Sequence, residues 1–199
     1  MAKKLATVEK AIRSLKFDAS TPHAEALLLT CIDFRFFTII AKKMEELKLT
    51  GKYDHFILAG AALGATLDFS ADHLPAPKPP NCKCRPLLPR LHWQQVFIEH
   101  LQIALQLHTS ITQVIIIEHR KCGAYETFLE PNGYPDPPSK EDPERKAHKA
   151  QADKLQRIVL QYFPKLTVTK WLASLATGTA EPLDFTSEKA VEAIQIEVL

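Results

Sequence analysis

Five residues in two short clusters carry side chains suited to metal-assisted chemistry: Cys31, Asp33 and Arg35 in one, His119 and Cys122 in the other. Two thiolates and one imidazole form a donor set that suits zinc, and three protein ligands leave a fourth tetrahedral position for water, the catalytic arrangement rather than the closed structural one. Zinc lowers the pKa of such a water toward neutrality. Asp33 lies close enough in sequence to Cys31 to accept a hydrogen bond from that water, and Arg35 can hold the carboxylate by a bidentate, charge-assisted contact. The expectation is one Zn2+ per chain. Each piece also has an ordinary reading. A lone H-x-x-C is common by chance, a strand-end cysteine is most often a small buried hydrophobe, and Asp33 with Arg35 can be a local ion pair capping the next helix. The pattern becomes specific only when C-x-D-x-R and H-x-x-C-G are brought to one place.

The flanking elements suggest how that happens. Ala24 to Thr30 reads as a buried strand ending at Cys31, and Gln113 to Ile117, a β-branched run, reads as a strand leading into His119. In an open parallel sheet, sites form beyond the carboxyl ends of strands. If these two strands are neighbours, both clusters share one sheet edge. Gly123, directly after Cys122, is read as the permissive position that turns Cys122 back toward His119. Helices are expected over Val8–Phe17, Phe36–Leu47, His92–Leu107 and Glu144–Phe163, and further strands over His55–Leu58 and Leu166–Leu175, with a turn at Thr177-Gly178. The face of the His92–Leu107 helix is assigned to Val96, Leu101, Ile103, Ala104 and Leu107. The charge run Glu141 to Lys149 reads as a solvated helix start. Strands alternating with helices favour parallel pairing with right-handed crossovers, so the fold class is α/β, a mainly parallel sheet flanked by helices.

A chain of 199 residues, 46% apolar and 24% charged, suffices for one domain with a full core, taken here as residues 1–199. The prolines of Asp72 to Arg90 exclude helix and central strand and mark an insertion over about 72–90. A net charge of +2 gives no reason to expect nucleic acid or an anionic membrane as partner, and no apolar run has the length of a membrane span. The N-terminal stretch lacks the apolar core of a signal peptide, so a cytoplasmic location is expected.

Cys31-Ile32-Asp33-Phe34-Arg35 and His119-Arg120-Lys121-Cys122-Gly123-Ala124 resemble the two signature motifs of the β-class carbonic anhydrases, and the stretch from Ala24 to Phe128 is similar to that family in its order of elements. The resemblance implies a β-carbonic-anhydrase-like core, a homodimer or higher homo-oligomer with active sites near the dimer interface, and reversible hydration of carbon dioxide to bicarbonate. It implies Cys31, His119 and Cys122 as zinc ligands and Asp33 with Arg35 as the catalytic dyad. In some members the matching Asp closes the site by ligating the metal, which leaves open a non-catalytic zinc protein. The chain departs from the family at Phe34, where a small residue is usual, and at Ile57-Leu58-Ala59-Gly60, where the usual stretch is Arg-Asn-Ala-Gly. The lost polar groups make carbonyl sulfide or carbon disulfide alternative substrates.

Other residues are assigned less. Cys82 and Cys84 read as two thiols within the insertion, with a second metal site completed by His73 and His92, or a redox pair, as alternatives. An unperturbed imidazole titrates near neutrality, which makes His55, His100, His108 and His148 candidates to move protons, but structural or surface roles fit each. Tyr125 and Phe128 are candidates to line the pocket or a dimer seam.

Overall fold

ALLLT, the five residues of strand β1 (Ala26–Thr30), is buried throughout. Burial on both faces is the mark of a central strand in a covered parallel sheet. Its neighbour β3 (Gln113–His119) is buried from Val114 onward and pairs with it in parallel, setting Thr30 opposite Ile117. β2 (Tyr53–Ile57) lies parallel on the far side of β1, and β4 (Thr167–Ser174) parallel on the far side of β3. The sheet order is β2-β1-β3-β4-β5, and β5 (Thr179–Pro182) runs antiparallel to β4. The fold is therefore the expected α/β class, with one antiparallel edge strand added. The computed structural model describes residues 23–67, 92–130, 132–135 and 142–184. The helix expected over Val8–Phe17, the proline-rich segment with His73, Cys82 and Cys84, and the chain beyond Asp184 lie outside the described residues.

Successive side chains of a strand point to opposite faces, and the two faces are covered by different helices. A short 3-10 turn (Phe34–Phe36) leads into α1 (Phe37–Glu46), which packs Ile39, Ile40 and Met44 against Leu28, Ile115 and Ile117. On the other face α3 (Trp93–Leu107) and α5 (Pro143–Tyr162) supply Phe97, Leu101, Ala152, Leu155 and Val159 against Leu27, Leu29, Val114 and Ile116. Two short helices, α2 (Ala62–Thr66) and α4 (Gly123–Phe128), follow β2 and Cys122.

Two expectations need correction. The buried stripe of α3 is Phe97, Leu101 and Ala104, while Val96, Ile103 and Leu107 are 50%, 53% and 72% exposed. Phe97 fixes the rotation of the helix, its ring meeting Phe56 edge-on at 5.4 Å. The start of α5 is not simply solvated either: Glu144 and His148 are buried, because both face polar groups at the end of β3. Among the described residues no helix is long and apolar enough to cross a membrane.

Candidate metal centre

Because β1 and β3 are parallel and in register, Cys31 and His119 emerge at the same sheet edge. Cys122 returns to them across the next turn. The ligand atoms of Cys31, His119 and Cys122 lie within 4.8 Å of one another, and the two sulfurs are 3.9 Å apart. Two sulfurs each about 2.3 Å from a tetrahedral zinc would stand about 3.8 Å apart. His119 Nδ1 lies 3.0 Å from the Arg120 carbonyl, which can only accept, so the proton is on Nδ1 and the Nε2 lone pair faces the sulfurs. That Nε2 is buried with no hydrogen-bond partner among the described residues. A metal ion is the partner such an atom fits, with the Nδ1 contact fixing the ring as metal-bound histidines are usually fixed. Phe36 stacks on the imidazole at 4.1 Å.

The electrostatics suit a cation. The sulfur–sulfur contact with Cys122 and the Gly60 N–H outweigh burial and hold the Cys31 thiol well below its ordinary value. The Cys122 thiol is pushed up by that contact with Cys31, by burial and by the charge on Cys31. Ligation of both sulfurs to a metal would displace the thiol protons.

Two backbone turns shape the centre. Gly60 has φ of +74°, and its N–H donates to Cys31 Sγ at 3.3 Å. A Cβ there would meet Ala124 Cβ at 2.9 Å, so only glycine fits. Between His119 and Cys122 the left-handed residue is Lys121, with φ of +54°, not Gly123. Gly123 opens α4, and a Cβ on it would meet nothing within 4 Å. The freedom assigned to Gly123 is therefore unused, and side chains hold the strained turn instead. Glu144 accepts the Lys121 N–H. Arg120 donates to Glu144 at 3.2 Å and grips Asp142 through two nitrogens at 3.0 and 2.6 Å. The sequence reading missed this clamp. Its signal was a buried helical stripe in α5 whose first two positions, Glu144 and His148, are polar.

Asp33 caps the 3-10 turn and is gripped by Arg35. Arg35 Nε lies 2.9 and 3.1 Å from the two carboxylate oxygens, Nη2 lies 2.5 Å from Oδ2, and the Arg35 N–H lies 3.1 Å from Oδ1. The guanidinium outweighs burial and holds the Asp33 carboxyl below its ordinary range. Asp33 Oδ2 is 4.0 Å from His119 Nε2, so the pair stands at the edge of the three-ligand group. The capping and the proximity coexist. A cavity of about 480 Å³ opens beside it, lined by Arg35, Phe36, Lys121, Tyr134, Leu175 and Thr177 among others.

Four further histidines have partners away from the centre. His55 Nε2 is 2.7 Å from the Thr30 hydroxyl, His100 packs on the Phe56 ring, and His108 is 3.7 Å from Asp54. His92 is exposed ahead of α3. Tyr125 is fully buried against His148, with ring centres 3.7 Å apart, so it lines neither pocket nor seam within this chain. Phe128 packs at the edge of the small cluster of Leu63, Cys122 and Tyr125.

No protein-family model matches the chain. Among curated proteins it is similar to uncharacterised proteins of Rickettsia bellii and Rickettsia conorii, each 29% identical over 173 residues, covering 87% of this chain and 88% and 78% of theirs. Solved structures it is similar to include carbonic anhydrases and a carbon disulfide hydrolase. A carbonic anhydrase from Glaciozyma antarctica is 15% identical, covering 89% of this chain and 94% of that one, with a TM-score of 0.45. A tetrameric β-carbonic anhydrase from Sordaria macrospora is 11% identical, covering 92% and 94%, at 0.49. The carbon disulfide hydrolase, in its apo form, is 12% identical, covering 96% and 95%, at 0.48.

Proposed function

We propose that the chain is a zinc enzyme of the β-carbonic-anhydrase type that hydrates carbon dioxide to bicarbonate. The observation that carries this reading is the meeting of Cys31, His119 and Cys122 within 4.8 Å, beside an Asp33 carboxylate held by Arg35. In this reading Cys31 Sγ, His119 Nε2 and Cys122 Sγ hold one zinc. Bound there, zinc supplies a water whose proton leaves near neutral pH.

The chain's own residues do the rest. Asp33 accepts a hydrogen bond from the attacking water and so turns its lone pair toward the carbon. Arg35 keeps the carboxylate ionised and occupies both of its oxygens, which supports a centre that Asp33 leaves open. Phe36 and the buried end of β3 fix the His119 ring and keep bulk water from its far side.

A second reading rests on the apolar rim. Phe34, three residues beyond Cys31, and Ile57, the last residue of β2, are 85% and 48% exposed apolar side chains at the two positions where the chain departs from the family pattern. An apolar rim suits carbonyl sulfide or carbon disulfide. Stopped-flow hydration of carbon dioxide, beside hydrogen-sulfide release from carbonyl sulfide, both on protein of measured zinc content, separates the two. Zinc-loaded protein inert in both assays would overturn the enzymatic reading.

We also propose a homodimer or larger homo-oligomer built over this edge. Ile32, Phe34, Phe37 and Ile57 leave large apolar side chains exposed after β1, in α1 and at the end of β2, surface of the kind that association between copies buries. Light scattering is expected to give at least twice the chain mass of 22.4 kDa.

A further inference from the structure

Glu118 is an acidic residue at the end of the buried apolar run of β3, next to His119, and only 1% exposed. A carboxylate in such surroundings is costly unless it is hydrogen-bonded, and an apolar residue of similar volume is often at least as stabilising as a buried ion pair. Its partners are specific. Oε1 accepts the N–H of Ala62 at 2.8 Å, and Oε2 is 2.9 Å from Nδ1 of the fully buried His148.

Ala62 is the first residue of α2, and the two residues before it are the left-handed pair Gly60 and Ala61, with φ of +74° and +44°. Ala61 carries a Cβ in a conformation that L-residues avoid. The carboxylate fastens one end of this strained turn, and the other end presents the Gly60 N–H to Cys31 Sγ at 3.3 Å. His148 in turn stacks on Tyr125 of α4, the helix that begins at Cys122. A continuous path of contacts therefore runs from His148 through Glu118 and the Gly60-Ala61 turn to one sulfur, with a branch through Tyr125 toward the other.

We infer that Glu118, oriented by His148, is a positioning residue for the metal centre, setting the Gly60 N–H on Cys31 Sγ and thereby limiting the electron donation of that thiolate. The inference rests on the reading of Cys31 as a zinc ligand. Hydrogen bonds to the side chains that hold a metal tune its affinity, typically by about 10- to 100-fold.

The test uses the full chain loaded with cobalt(II), whose thiolate charge-transfer absorption reports sulfur donation, together with the rate of zinc transfer to a chelator. Glu118→Ala is expected to move the absorption to longer wavelength, as the thiolate donates more, and, as the turn that fixes Cys31 loosens, to speed zinc loss about tenfold or more. Glu118→Gln keeps an acceptor for the Ala62 N–H and is expected to restore both values toward the parent's. His148→Phe, which keeps the stack on Tyr125, is expected to shift the absorption in the same direction by less, and it carries the test if Glu118→Ala does not fold. A folded Glu118→Ala protein with the parent's absorption and zinc-loss rate overturns the inference, as does an unshifted His148→Phe protein when Glu118→Ala is unfolded. Parent protein without a thiolate–cobalt absorption would sink the zinc reading itself, a different outcome.

Discussion

Glu144 accepts the backbone N–H of Lys121, a residue whose φ is +54°, so a carboxylate at the start of α5 holds the strained turn that carries Cys122 back to His119. Glu144 is 5% exposed. Glu144→Ala removes the acceptor that the Lys121 N–H and Arg120 share and is expected to cost about 1–3 kcal/mol, with zinc stoichiometry reduced. Glu144→Gln keeps an acceptor and should cost less. Thermal unfolding and metal analysis of the two variants check this, and equal losses would mean that the carboxylate charge matters rather than the turn.

The two glycines near the centre are expected to respond oppositely. Gly60→Ala forces a Cβ at φ of +74° to within 2.9 Å of Ala124 Cβ. Left-handed strain of about 1–2 kcal/mol and the clash should both register in the melting temperature, and the N–H to Cys31 should be lost. Gly123→Ala meets no atom within 4 Å and should stabilise the protein by about 0.4–1 kcal/mol. A destabilised Gly123→Ala protein would contradict the turn geometry described above.

Arg35→Ala removes the guanidinium that occupies both Asp33 oxygens. With Asp33 Oδ2 already 4.0 Å from His119 Nε2, the freed carboxylate is expected to turn onto the metal. Turnover should fall by about 100-fold or more while zinc content stays at one per chain. Asp33→Asn should retain zinc and lose activity without closing the centre. Rates and metal content, measured together, decide between them, and full activity in Arg35→Ala would remove the dyad from the mechanism.

A pH effect is expected away from the metal. Lys170 of β4, 6% exposed, lies 2.6 Å from Asp153 of α5 and 2.8 Å from Asp184. Burial alone would push the Asp153 carboxyl up, but the Lys149 and Lys170 ammoniums outweigh it and bring it below its ordinary value. Burial opposes charge on Lys170 too, and its two carboxylates win, raising it. A depressed acid stabilises the fold above its unfolded pKa of about 3.9, and that stability is lost as pH falls further. A raised lysine stabilises below about 10.4, and that stability is lost as pH climbs beyond it. Asp153→Asn should therefore lower stability by about 0.5–1 kcal/mol near neutral pH, and the difference from the parent should shrink below about pH 4. Melting curves across that range test it.

Much of this was legible in the sequence because it rests on strand composition. β1 and β3 are apolar runs buried on both faces, and a two-sided buried strand announces itself without periodicity. The residue types at their ends then located the centre. β5 was not legible: Thr-Ala-Glu-Pro is short and polar, and its strand state comes from pairing with β4. The face of α3 was misread because Val96, Ile103 and Leu107 form an apolar stripe of their own, and only packing of Phe97 on Phe56 selects the other. The Arg120–Glu144 and Glu118–His148 pairs join residues 24 and 30 positions apart, a relation that no local spacing encodes.

The parallel pairing of β1 with β3 also bears on the order of assembly. Cys31 and Cys122 are 91 residues apart in the chain, and their meeting requires that whole loop to close. Closing it costs entropy before any non-local contact repays it. On the zinc reading proposed above, His119 and Cys122 are near neighbours in the chain, but Cys31 joins them only once the central crossover has closed. Metal capture would then act as a latch on the finished sheet, slowing unfolding without speeding folding.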